Sequence, residues 1–426
     1  MLIVSIAFVV LLLIGMPVAF AIGISGVLFF LQHPELPITI PIQQTVSQTQ
    51  NFALLAIPLF IIAGNFMNKS GITDELLNLA SVIAGRLKGG LAQMSLVLSG
   101  LLGGVSGSAI ADAAMQSRML GPEMIKRGMT RGFAAAVLSF GSILTPIIPP
   151  GLGFIIYGTI GQVSIGRLFA AGLIPAFLLW AALALAISFV ANRRDYPSAR
   201  TQRSSVREVG IALRGGIWAL MFPIILLAGL RFGIFTPSEI GAFAVIYAVF
   251  IGILVYRKMK RASFLEALDG SLADIGSVMF LIALSAVFSY GIVIERIPEI
   301  VSGVILGVTD NLYGVMLLIA LFVLICGFFI DATVLIIMLT SIFLPLVRDL
   351  GGDPVHFGVV FIVAATIGNF TPPVGAAMYA VCSILRVPIG EYTRESVPLF
   401  LAVAAVALLL IFVPQIVLFL PGLLFG

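Results

Sequence analysis

The chain is 426 residues long, with 60% hydrophobic and only 10% charged residues, a mean hydropathy of +1.19 and a formal net charge of +4. A soluble globular domain carries roughly 25% charged residues, so the composition excludes a soluble enzyme and points to a polytopic membrane protein, with no cofactor fold to look for. The small positive charge does not imply nucleic acid, and the two cysteines, Cys326 and Cys382, lie in apolar runs that suggest neither a disulfide framework nor a metal site.

The N-terminus is apolar from Leu2 to Leu31, without a basic n-region or an A-x-A-like site, and reads as a span rather than a cleaved signal peptide. The predicted full spans are 3–31, 52–68, 132–157, 168–191, 216–233, 237–256, 276–294, 357–384 and 397–420. Two further apolar stretches, 91–117 and 313–346, are interrupted by small and polar residues and read as re-entrant helical hairpins. The segments 73–85 and 297–308 are only partly apolar and carry Asp74 and Glu75, or Glu299, which suits arm helices along the membrane surface.

These spans put nineteen of the 23 Lys and Arg on one side and leave Arg167, Arg231, Arg296 and Arg348 on the other. The crowded side is then cytoplasmic. The N-terminus lies inside, the C-terminus outside, and the two hairpins re-enter from opposite faces. The order span, span, arm, hairpin, broken span, span occurs twice. It covers 1–192 and 234–426, and 193–233 supplies a basic cytoplasmic linker plus one connecting span. That single span inverts the second copy, an arrangement used by transporters. The expected fold is an all-α polytopic membrane protein of two inverted repeats, each with one re-entrant hairpin and one broken helix.

Two paired stretches carry the chemistry. The first is Gly104-Val-Ser-Gly-Ser-Ala-Ile-Ala-Asp112 with Ser142-Ile-Leu-Thr-Pro-Ile-Ile-Pro-Pro-Gly151; the second is Cys326-Gly-Phe-Phe-Ile-Asp-Ala-Thr333 with Gly368-Asn-Phe-Thr-Pro-Pro-Val-Gly375. Proline removes a backbone donor and collides with the preceding turn, so each Thr-Pro opens a helix. The freed carbonyls and N–H groups persist in a membrane only inside protein or along a cavity. Unwound carbonyls and hydroxyls can ligate Na+. One cage is expected from Ser106, Ser108, Ser142, Thr145, Ile148 and Pro150, and a second from Gly327, Gly368, Thr371 and Val374. The plainer alternative is that these glycines only let helices approach.

Asp331, Asp112 and Asn369 are candidates for the substrate or ion site, because an ionisable group at membrane depth is costly. Asp331 could instead cap the second arm of its hairpin, and Asp112 could pair with Arg118. No G-x-x-x-x-G-K-[ST] motif is present, so the chain is not itself a P-loop ATPase. Gly104-Val-Ser-Gly107 matches a string of intramembrane serine proteases. The only histidines, His33 and His356, fall near outer loops, far from that hairpin, so no enzyme is expected. A channel would want a continuous lined pore, whereas the polar breaks cluster at two points.

These motifs, with Thr145-Pro-Ile-Ile-Pro-Pro-Gly151 and the terminal Phe412-Val-Pro and Leu420-Pro421, resemble the large membrane subunit of tripartite ATP-independent periplasmic (TRAP) transporters, DctM-like and SiaM-like, over essentially the whole chain. The resemblance implies an elevator-type, Na+-driven importer of organic acids such as sialic acid or C4-dicarboxylates, in the bacterial inner membrane. It implies two partners besides lipid and the small carboxylate: a small four-helix membrane subunit as a separate chain, and a periplasmic substrate-binding protein. Na+ is the coupling ion and no cofactor is expected. A stand-alone Na+/dicarboxylate symporter of related fold, or a channel, stays as the alternative.

Overall fold

The computed structural model describes residues 2–50, 52–200 and 205–426, with all their side chains except those of residues 2, 53, 105 and 106. It is built of helices. The first part contains α1 (Leu2–Leu13), α2 (Val18–Gln32), α3 (Thr39–Thr49), α4 (Ala56–Ser70), α5 (Ile72–Ala84), α6 (Gly90–Ser106) and α7 (Ala109–Met119). Then come α8 (Gly121–Lys126), α9 (Arg131–Gly141), α10 (Leu152–Ile160), α11 (Ile165–Arg193) and α12 (Val206–Arg231). The remainder is α13 (Pro237–Phe250), α14 (Arg261–Ile294), α15 (Ile297–Leu306), α16 (Leu312–Gly327), α17 (Ala332–Asp349), α18 (Pro354–Gly368), α19 (Ala376–Leu385), α20 (Ile389–Phe412) and α21 (Pro414–Phe425).

Among the described residues, six helices are long and apolar enough to cross a membrane: α11, α12, α13 with its π-helical extension to Val255, α14, α17 and α20. Of these α17 is the most enclosed, with 61% of its apolar window buried against 28% for α12, so it runs through protein rather than along lipid.

Three expectations need correction. The span predicted at 3–31 is two helices, because Gly15 turns at φ +88° and Met16 N donates back to Leu11 O at 3.1 Å before Pro17 restarts the helix. Glycine meets a left-handed turn at no Cβ cost, and proline fits a helix start. The span at 397–420 is likewise divided, with α20 ending at Phe412 and Pro414 opening α21. Residues 32–50, which fall outside every predicted span, hairpin and arm, contain α3, whose Thr and Gln residues hide its helical period from a reading based on apolar spacing.

The core lies around the two broken helices. Every residue from Gly132 to Gly141 in α9 and from Val355 to Gly368 in α18 is buried. Around this centre, α9 packs on α20, α18 on α16, and α4 on both α13 and α14. Side chains close the ends of the central helices: Tyr157 Oη donates to Pro354 O at 2.7 Å, and Arg348 Nη2 to Gly161 O at 2.7 Å. The two arm segments differ. α5 buries Ile72, Leu76, Leu79 and Ala80, while none of the described residues of α15 is buried.

Candidate functional site

Both central helices are interrupted where Thr-Pro occurs. After α9, one tight turn at Ser142–Leu144 leads into the irregular segment 145–151, which ends at α10. Pro146, Pro149 and Pro150 bring no N–H, so the helical ladder cannot continue. After α18, residues 369–375 are non-helical, and Ala377 N and Met378 N bond to Asn369 O at 3.1 and 3.3 Å. Tyr392 Oη donates to Phe370 O at 2.7 Å, satisfying one carbonyl that the break frees. Pro149–Pro150 and Pro372–Pro373 are both cis.

A helix pair packs beside each break. α6 and α7 turn at Gly107, at φ +61°, and Ser108 caps α7 by accepting from Ala111 N at 3.4 Å. The turn lies against the first break: a Cβ on Gly107 would sit 3.1 Å from Pro150 O, and one on Gly103 only 2.6 Å from the Ile148 side chain. α16 and α17 are joined through Phe328–Asp331. Asp331 caps α17, accepting from Thr333 N at 2.8 Å. Here the backbones meet at two glycines, since a Cβ on Gly368 would lie 2.5 Å from Gly327 Cα.

The N-termini of α7 and α17 open onto one cavity of ≈ 320 Å³, whose lining includes Ser108, Pro146, Asp331 and Asn369. Asn65 and Asn68 of α4 and Asp274 of α14 also line it. None of the described residues lining it is Lys, Arg or His. Helix N-termini carry unpaired N–H groups and roughly half a positive charge each, so this cavity can hold an anion without a basic side chain. Its carboxylates, amides and carbonyls can face cations or hydroxyls.

The predicted residues divide as follows. Asp331 is both an N-cap and a cavity residue, and Asn369 Nδ2 donates to its Oδ2 at 3.1 Å. Asp112 is buried and does not pair with the exposed Arg118; its oxygens accept from Ser99 Oγ at 2.7 Å, Thr145 Oγ1 at 2.9 Å and Gln116 Nε2 at 2.8 Å. Six residues apart on α7, the carboxylate points inward and the guanidinium outward. Ser142 Oγ donates to Ser139 O at 2.7 Å, and Thr371 Oγ1 to Ile367 O at 2.8 Å. Val374 is exposed, and the Ser106 side chain lies outside the described residues. Sequence reasoning missed Ser99, Gln116, Asn65, Asn68 and Asp274. The available signal was polar residues at helical spacing in apolar runs, as in the pairs Asp112–Gln116 and Asn65–Asn68.

The family described as the tripartite ATP-independent periplasmic transporter, DctM component, matches residues 5–416. The chain belongs to that family. The permease is 33% identical over 404 residues to the 2,3-diketo-L-gulonate TRAP transporter large permease protein YiaN of Escherichia coli, covering 95% of both chains. It is 33% identical to the sialic acid TRAP transporter large permease protein SiaM of Vibrio cholerae, covering 98% of this chain and 97% of that one. In fold it is similar to the Alcanivorax borkumensis YdaH transporter, at a TM-score of 0.62 and 14% identity over 90% of this chain and 88% of that one. As a large permease component it is a multi-pass membrane transporter subunit.

Proposed function

We propose that this permease moves an organic acid into the cell by coupling it to Na+. One observation carries the reading: the starts of α7 and α17, reached from opposite halves of the chain, converge with both Thr-Pro breaks on one cavity whose described lining has no basic side chain. The substrate carboxylate meets the helix N-termini, and Na+ is held by the breaks. Site one comprises Ser106, Ser108, Ser142, Thr145 and the carbonyls of Ile148 and Pro150. Site two comprises Gly327, Gly368, Thr371 and Val374, with Asp331, Asp112 and Asn369 adjoining.

In this reading residues 1–192 and 234–426 are inverted repeats, joined through 193–233, and the α6–α7 and α16–α17 pairs re-enter the inner membrane from opposite faces. The N-terminus is cytoplasmic and the C-terminus periplasmic. Matching turns support the symmetry: Val163 N bonds to Gly158 O at 2.8 Å after α10, and Val387 N to Cys382 O at 2.9 Å after α19. The hairpins and broken helices travel together as an elevator against a frame that includes α4, α13 and α14. A small membrane subunit and a periplasmic binding protein complete the transporter, and the acids named for YiaN and SiaM set the substrate range to test first.

The test is reconstitution in vesicles with both partners. Uptake of an organic acid that needs an inward Na+ gradient and the binding protein is expected. Na+-driven uptake by the permease alone would make it a stand-alone carrier, and downhill flux indifferent to Na+ would make it a channel.

A further inference from the structure

Far from the cavity, one face of α12 is unclaimed by the rest of the chain. Ala212, Gly216, Ala219 and Leu226 are buried, and at Gly216 the helix meets Leu76 and Leu79 of α5. The opposite face carries Arg207, Ile211, Arg214, Trp218 and Met221, all exposed. Their spacing of i, i+4, i+7, i+11 and i+14 keeps them in one stripe. Among the described residues neither Arg207 nor Arg214 has an ion-pair partner. The neighbouring Glu208 is already engaged, by the Ser205 backbone N–H and by Arg200 at 3.6 Å. Gly210 lies on the same face between the two arginines, and a Cβ there would meet nothing within 4 Å. The chain's own packing therefore does not call for a glycine, which weakens a helix relative to alanine. Its missing side chain leaves a shallow notch between two unpaired guanidinium groups.

The two arginines are about 10 Å apart along the axis at 1.5 Å per residue. Side chains on a helix lean toward its start, so Arg214 reaches back toward Gly210 and Arg207. Along the stripe charge gives way to an aromatic ring and then to aliphatic surface. A bilayer has the same order: headgroups, the interface where Trp is enriched, then hydrocarbon. Of the six helices long and apolar enough to cross a membrane, α12 has the smallest share of its apolar window buried, 28%. A free anion would match only the arginines. A phospholipid with a net negative charge matches the whole stripe, and basic residues beside a span attract such lipids.

We propose that this face of α12 binds an anionic phospholipid, with the phosphate held by Arg207 and Arg214 over Gly210 and the acyl chains lying along Trp218 and Met221. The lipid fixes the depth of the helix that connects the two halves of the chain. The inference is independent of what the permease carries and of the ion that drives it.

The test uses delipidated permease with its small subunit in neutral detergent. Native mass spectrometry measures the binding of dioleoyl-phosphatidylglycerol and of dioleoyl-phosphatidylcholine. Phosphatidylglycerol is expected to bind several times more tightly. Replacing both arginines, Arg207→Gln with Arg214→Gln, should weaken it roughly tenfold and leave phosphatidylcholine unchanged. Arg118→Gln with Lys126→Gln removes the same net charge from exposed positions on other helices and should alter neither lipid. Gly210→Leu should weaken phosphatidylglycerol without lowering the melting temperature, because the added side chain has open space around it. Equal binding of the two lipids overturns the inference, and so do equal losses in the two double variants, which would reduce the effect to net charge. Displacement of phosphatidylglycerol by inorganic phosphate gives the arginines to a free anion. Release of the small subunit by the arginine variant, with lipid binding intact, gives the face to that protein. Either result also overturns the proposal. If the arginine variant does not fold, undiminished phosphatidylglycerol binding by Gly210→Leu counts against it by itself.

Discussion

The Thr145 hydroxyl donates to Asp112 Oδ2 at 2.9 Å, tying the unwound middle of the α9–α10 pair to the first turn of α7. Ser99 of α6 bonds to the same oxygen, and Gln116 bridges Asp112 Oδ1 and Ser99 Oγ, so one carboxylate holds three elements together. Asp112→Ala leaves several buried donors unmet, each at about 1–3 kcal/mol. Thermal unfolding in detergent should show a clear loss for Asp112→Ala and about 1 kcal/mol for Thr145→Val. Equal stability of Asp112→Ala and the native protein would mean that the carboxylate does not organise this corner.

At the Gly327–Gly368 crossing there is no room for a methyl group. Gly368→Ala should cost about 1–3 kcal/mol through overpacking against backbone that cannot swing aside, and it should lower transport more than protein level. Gly270→Ala in α14 meets nothing within 4 Å. Helix propensity there predicts a gain of up to about 1 kcal/mol. Unfolding midpoints of the two variants should move in opposite directions.

Thr371 is half-buried, and its hydroxyl bonds back to Ile367 O at 2.8 Å. A hydroxyl oxygen that donates keeps lone pairs for a cation. Thr371→Val should raise the Na+ concentration for half-maximal uptake roughly tenfold, about 1.4 kcal/mol, with little change in expression. Unaltered Na+ activation would leave the hydroxyl as a helix-end bond and no more.

His33, just after α2, joins two carboxylates, Glu35 Oε1 at 2.7 Å and Glu295 Oε1 at 3.1 Å. The Glu35 bond is the main cause that raises the His33 pKa above 6.5; burial opposes it and Glu295 adds to it. A raised value in the folded state means that the stabilisation is complete below the unfolded value and fades as pH rises through the folded one. The melting-temperature gap between native protein and His33→Gln should therefore be wider at about pH 6 than at about pH 8. A constant gap would show that the imidazole charge contributes nothing.

Local signals made much of this fold legible. Long apolar runs mark α11, α12 and α14, and the Thr-Pro breaks appear at the expected residues because proline's missing donor acts on its own turn. The divisions at Gly15–Pro17 and Val413–Pro414 used the same chemistry, but overall hydropathy hid them. At the site, Ser108, Asp331 and Asn369 were marked by polarity within apolar runs, and all three reach the cavity.

By itself the sequence determined the class of protein, the places where helices must open and the family to which the chain belongs, since each depends on residue type and close spacing. Only the tertiary structure decided which polar groups meet. It directed Asp112 to Ser99, Thr145 and Gln116 instead of Arg118, and it brought Asn68, Asp274 and Asn369 to one cavity. Those partners lie on different helices, and the rotation of one helix against another is set by packing that no short stretch of sequence contains.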